Sequence, residues 1–147
     1  MKQVDFYLIS NRVNDAKYKL ASRLANKLRR LEQSCLIITD NAESTTELDR
    51  VMWSFSDSSF LAHDLTSESK PQSSIQIGDH NSITPLVLER QHDVLINLSS
   101  DIPIFNHKFS RIAEIVEADD DSKASARMRY KSYQGEGFDL KMHNIEL

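Results

Sequence analysis

The chain has 147 residues, of which 39% are hydrophobic and 27% charged, and its formal net charge is −4. That length suits a single domain over residues 1–147, and a chain of this size buries roughly 68–70% of its unfolded surface. Three glycines, three prolines and one cysteine exclude collagen-like, low-complexity, disulfide-stapled and cysteine-zinc readings. The acidic balance excludes a generally basic nucleic-acid binder but leaves room for a local basic patch.

The N-terminal MKQVDFYLIS has no long apolar run and no small-residue cleavage site, so no signal peptide is expected. No stretch approaches the roughly 18 apolar residues of a membrane helix. With the lone cysteine, these features predict a soluble cytoplasmic protein that makes no membrane contact.

Val4–Ile9 is rich in β-branched, aromatic and apolar residues and reads as a first strand. Apolar residues at 13, 16, 20, 24, 28 and 31 then mark one face of a helix over Val13–Leu31, with Asn14 and Asp15 as candidate caps. Cys35–Thr39 is a short continuous apolar run, as expected of a strand buried on both faces. Ser44 followed by Glu47 suggests a capped second helix over Ser44–Trp53. Residues 66–74 read as a polar surface loop, Ile75–Ile77 as a strand and Gly78–Ser82 as a turn. Asp93–Leu98 is a core strand and Arg111–Glu117 the expected last strand. A final helix is expected over Ser122–Gln134, with Asp119–Asp121 favourably placed at its N-terminus and Gly135 as its cap. A β-α-β-α opening points to parallel pairing. The expected fold class is α/β: an open, mostly parallel sheet flanked by helices, Rossmann-like without a nucleotide site.

Charge is unevenly spread. Residues 1–33 carry eight basic and three acidic side chains, whereas residues 40–70 carry two basic and seven acidic. Solvated faces of opposite sign explain this most simply. Direct binding of single-stranded nucleic acid through the basic first helix is the weaker reading, because the net charge is −4 and a lone aromatic, Tyr18, stands among its cations.

Enzyme chemistry is hard to find. The turn after the first strand, Ser10-Asn11-Arg12-Val13-Asn14, has no glycine to let a phosphate approach the backbone. There is no Walker pair and no G-x-S-x-G elbow. His63, His80, His92, His107 and His143 show no metal-ligand spacing, and the aspartate run lacks the pattern of a calcium loop. No cofactor or metal is expected. Cys35 reads as a small buried hydrophobe rather than a nucleophile. The alternative function is a small α/β enzyme or nucleotide-binding protein of nucleotide metabolism, which the missing glycine cradle disfavours.

The sharpest signal lies in the final helix. Lys123, Arg127 and Lys131 fall at i, i+4 and i+8 and form one stripe, with Tyr130 beside Arg127. Ala126, Tyr130 and Tyr133 make an adjoining face suited to packing on the sheet. Cations next to an aromatic suit an acidic peptide with an apolar anchor, because arginine holds a carboxylate bidentately. Pattern alone favours the plainer reading, an amphipathic surface helix without a partner. Trp53, Phe55 and Phe60 after the second helix are either a cover for the sheet edge or anchors for another protein.

Several blocks, in their order and spacing, carry a resemblance over nearly the whole chain. They are Phe6-Tyr7-Leu8, Leu48-Asp49 with Trp53, Ser59-Phe60 with His63-Asp64-Leu65, Asp93–Leu98, Ile115-Val116-Glu117, Ala126–Tyr133 and Gly137-Phe138. Together they resemble the chi subunit family of bacterial DNA polymerase III holoenzyme. The resemblance implies a non-catalytic adaptor that binds the psi subunit, and through it the clamp loader. It also implies docking of the acidic, Phe-terminated tail of single-stranded DNA-binding protein, with no direct nucleic-acid contact. Carried over residue by residue, the tail surface falls on Lys123, Arg127, Tyr130 and Lys131, with Val116 and Ala118 as walls of the Phe pocket. The psi contact falls on Trp53 and Phe60. Three aspartates at 119–121 would oppose an acidic tail unless they serve the helix cap and point away.

Overall fold

A computed structural model describes residues 2–54, 62–67, 73–90 and 92–147. The chain forms strands β1 (Gln3–Ile9), β2 (Cys35–Thr39), β3 (Asp64–Leu65), β4 (Ile75–Asp79), β5 (Val94–Asn97), β6 (Arg111–Val116) and β7 (Asp139–Ile145). Helices are α1 (Ala16–Arg30), α2 (Ala42–Trp53), α3 (Pro85–Glu89) and α4 (Asp120–Gly135), with single 3₁₀ turns at His80–Ser82 and Asn106–Lys108. None is long and apolar enough to cross a membrane.

The strands form one sheet in the order β3-β4-β2-β5-β6-β1-β7, and every pair is parallel. Connections through α1 and α2 run toward the β3 edge, whereas those through α3 and α4 run toward the β7 edge. A constant crossover hand then puts the two pairs of helices on opposite faces. Two cores result. On one face, Leu20, Ala21, Ala25 and Leu28 of α1 and Leu48 and Met52 of α2 pack on Ile37, Ile77 and Ile96. On the other, Val87 of α3 and Ala126 and Tyr133 of α4 pack on Val4, Phe6, Leu36, Leu95 and Ile112. The central strands β2 and β5 are buried along their whole length, as their unbroken apolar runs require.

Several boundaries differ from the sequence expectation for local reasons. Helix α1 starts at Ala16 rather than Val13, because Asp15 takes a left-handed conformation (φ 57°) and makes no side-chain cap. Its carboxylate instead meets Arg50 Nη2 at 3.0 Å. Leu31, expected on the buried face, lies past the helix end and is 59% exposed. In α2 the cap is Asn41, whose Oδ1 accepts from the Ser44 amide at 2.8 Å, so the helix begins before Ser44. Gly78 and Asp79 belong to β4, and the turn occupies His80–Ser82. Helix α4 is capped by Asp119, while the left-handed residue at its far end is Gly137 (φ 87°), not Gly135. The Phe138 amide reaches Tyr133 O and the Gly137 amide reaches Gln134 O, both at 3.1 Å, in a Schellman closure that seats Phe138 against the Tyr133 ring. That closure launches β7, the true last strand. The earlier expectation that Arg111–Glu117 ends the sheet is corrected by β7, which pairs with β1 from Gln3↔Asp139 to Ile9↔Ile145.

Candidate functional site

The parallel register sets the floor of the site. Phe6 lies opposite Met142 and Leu8 opposite Val116, so three adjacent strands turn apolar side chains toward α4. Helix α4 crosses above them, with Lys123, Ala126, Arg127 and Tyr130 at helical spacing on the near side. Together with Ile9 and Glu117 these residues enclose an open pocket of about 230 Å³. Its floor is apolar, and its lining carries the cations Lys123 and Arg127 and one carboxylate, Glu117, which lies 4.0 Å from Lys17 Nζ. The Tyr130 ring is half-buried and leans on Phe6 at 5.6 Å. Met142 stays 52% exposed at the mouth.

Of the residues expected to serve an acidic tail, Lys123, Arg127, Tyr130 and Val116 converge on this pocket. Lys131 does not line it; it sits exposed one turn further along α4. Ala118 is also off the lining. Two of the three aspartates are accounted for. Asp119 accepts from the Ser122 amide at 2.9 Å and from its hydroxyl at 2.7 Å, and these bonds hold its carboxyl below the usual range. Asp121 faces a separate hollow with Lys17, Ser100 and Arg129.

What holds α4 in place was not read from the sequence. Glu114 is fully buried in β6, and Arg129 is 6% exposed on α4. Arg129 Nε donates to Glu114 Oε1 at 3.0 Å, Tyr133 Oη donates to Oε2 at 2.6 Å, and Asn97 Nδ2 donates to both oxygens. Arg129 also reaches Ser100 O at 3.1 Å, which ties the helix to the β5 loop. Burial raises the Glu114 carboxyl above its ordinary value, with the arginine and the donors pulling the other way. Burial raises the Tyr133 hydroxyl as well, reinforced by Glu114. The available signal was Glu114 set between the apolar pairs Ile112-Ala113 and Ile115-Val116, and an arginine on the same helical face as Ala126 and Tyr133.

Elsewhere, Trp53 is 53% exposed at the end of α2. Its ring lies 5.2 Å from that of His63, whose Nε2 is 2.6 Å from Asp49 Oδ1. Phe60, and Phe55 with it, lie outside the described residues. Cys35 is buried as expected, its thiol pushed up to about 12 by desolvation. Among the described residues, no three His, Cys, Asp or Glu side chains gather to hold a metal.

An all-parallel sheet with helices on both faces and no glycine cradle after its first strand defines a Rossmann-like α/β protein without the phosphate loop of nucleotide binders. The chain belongs to the DNA polymerase III chi subunit family. The family described as "DNA polymerase III chi subunit, HolC" matches residues 1–141. A DNA polymerase III subunit chi of Haemophilus influenzae is 30% identical, covering 98% of this chain and 98% of the relative. That of Pseudomonas aeruginosa is 30% identical (99% and 98% covered), and that of Escherichia coli 27% identical (95% and 96%).

Proposed function

We propose that the protein is a non-catalytic, cytoplasmic replication adaptor. It links the clamp-loader complex, through the psi subunit, to single-stranded DNA-binding protein, whose acidic C-terminal tail docks between α4 and the β1/β7 edge. One observation carries this reading: Lys123, Arg127, Tyr130 and Val116, separately expected from the sequence, line one pocket with an apolar floor and a cationic rim. The floor accepts the terminal Phe ring, and Arg127 and Lys123 take its carboxylate and the preceding acids. Lys131 extends the same stripe and meets the tail further from its end. The psi contact falls at the exposed Trp53 and at Phe60.

A buried ring with charge pairs at the rim gives roughly micromolar affinity, about −8 kcal/mol, and a loss of affinity with salt. The test is fluorescence anisotropy with a labelled acidic peptide ending in Asp-Ile-Pro-Phe with a free carboxylate. Saturable, salt-sensitive binding is expected, and Arg127→Ala weakens it by about tenfold or more, as loss of a charge-assisted hydrogen bond does. Binding that is unchanged in Arg127→Ala moves the tail to another surface, and no binding to the wild type removes the adaptor reading.

A further inference from the structure

We infer that the exposed face of α1 docks the phosphate backbone of duplex DNA. Lys19, Arg23, Lys27 and Arg30 recur every three or four residues and are all exposed, so they form one rail. It runs about 16 Å along the helix axis, the length of about five base-pair steps on one DNA strand. No aspartate or glutamate lies anywhere in α1, although the chain carries 22 acids. Among the described residues, no carboxylate comes within 4.0 Å of these four cations. Lys17 is the exception on this helix, paired to Glu117, and Arg29 is turned back on Asn26.

Folding alone does not account for the rail. The negative end of the helix dipole favours cations only in the last turn, where Lys27, Arg29 and Arg30 sit. Lys17 and Lys19 stand in the first turn, where the dipole disfavours them, and like charges at i and i+4 repel along the helix. A polyanion relieves both. The absence of an apolar floor tells which polyanion. The apolar side of α1 is turned into the core, so an acidic peptide finds no pocket for an anchor. The one aromatic of α1, Tyr18, precedes Lys19, packs against the core and is covered by Lys17, so unstacked bases of a single strand find no row of rings to stack on. What remains is contact with phosphates alone, which a duplex offers at regular spacing. The rail lies on the opposite face of the sheet from α4, so both surfaces are open at once.

The test is anisotropy of a fluorescein-labelled duplex of arbitrary sequence, titrated with the full chain across a salt series. Binding is expected in the non-specific range, about 10⁻⁴ to 10⁻⁶ M, with a slope of log affinity on log salt of about −3 to −4 for four phosphates. The variant Lys19→Gln/Arg23→Gln/Lys27→Gln/Arg30→Gln keeps good helix formers, and circular dichroism checks its fold. It is expected to lose at least tenfold in affinity and most of the slope, whereas Arg23→Lys/Arg30→Lys retains both. Duplex binding that survives the quadruple change overturns the inference, as does no binding by the wild type at low salt. Tighter capture of a single strand or of polyglutamate by the same rail also overturns it, in favour of that occupant.

Discussion

Two helices of this protein carry stripes of cations, on opposite faces of one sheet, and they differ in what lies beneath. Under α4, Leu8 and Met142 keep exposed apolar surface above the buried Phe6 and Val116, and the cations form the rim of a pocket. Under α1 the apolar side chains are consumed by the core, and the cations stand on a closed surface. A rim with a floor selects an anchored peptide, whose ring supplies affinity and whose charges supply orientation. A rail without a floor reads charge alone. The helices also differ in how they are fixed. Helix α4 is pinned by a buried ion pair and tyrosine, whereas α1 is held by Leu20, Ala21, Ala25 and Leu28 through packing.

Breaking the buried pair is expected to have the largest effect. Arg129→Ala leaves Glu114 buried with no cation and is expected to cost about 3–5 kcal/mol in urea denaturation. A loss under about 1 kcal/mol would show that Asn97 and Tyr133 alone satisfy the carboxylate.

Next in size is a pH effect confined to the α4 face. Burial places the Glu114 carboxyl above its unfolded value, so the folded state binds that proton more tightly. Its contribution to stability is therefore fully present below the unfolded carboxyl value and lost as pH rises through the folded one. Wild type minus Glu114→Gln, followed by urea midpoint between about pH 4 and 7, should show this downward slope with rising pH. A difference that is flat or rises with pH contradicts the assignment.

The smallest effect is expected at Lys131. It lies off the pocket lining, so Lys131→Ala should weaken the acidic peptide by no more than about 1 kcal/mol, an exposed-charge contribution, and less at high salt. A loss equal to that of Arg127→Ala would extend the site along the helix and erase the distinction between floor and rail.

The legible parts of this molecule were those whose pattern answers to one local cause. Cys35–Thr39 shows its burial as an unbroken apolar run, and the α4 stripe shows its face at spacing four. Strand β7 stayed hidden because Asp139–Ile145 is an edge strand with most side chains exposed: Asp139 to His143 alternate polar and apolar, but the alternation lapses at Asn144 and no apolar run marks the segment. What orders it is the backbone of β1 and the turn at Gly137, both outside its own residues. The helix starts were misplaced for a related reason. Asn41 and Asp119 cap through contacts three residues on, and several polar residues near each start compete for that position. The pocket was half legible. Its cations and Tyr130 were visible on one helix, but Phe6, Leu8 and Met142 join it only through the parallel register. Glu114 and Arg129 were visible singly, and their pairing is a tertiary fact.

The most direct test crosses two ligands with two variants: the acidic peptide and the DNA duplex, each titrated against Arg127→Ala and against the α1 quadruple glutamine variant. Two independent cationic faces predict that Arg127→Ala loses the peptide and keeps the duplex, while the α1 variant loses the duplex and keeps the peptide. Loss of both ligands in either folded variant would contradict that separation and leave one shared electrostatic surface in its place.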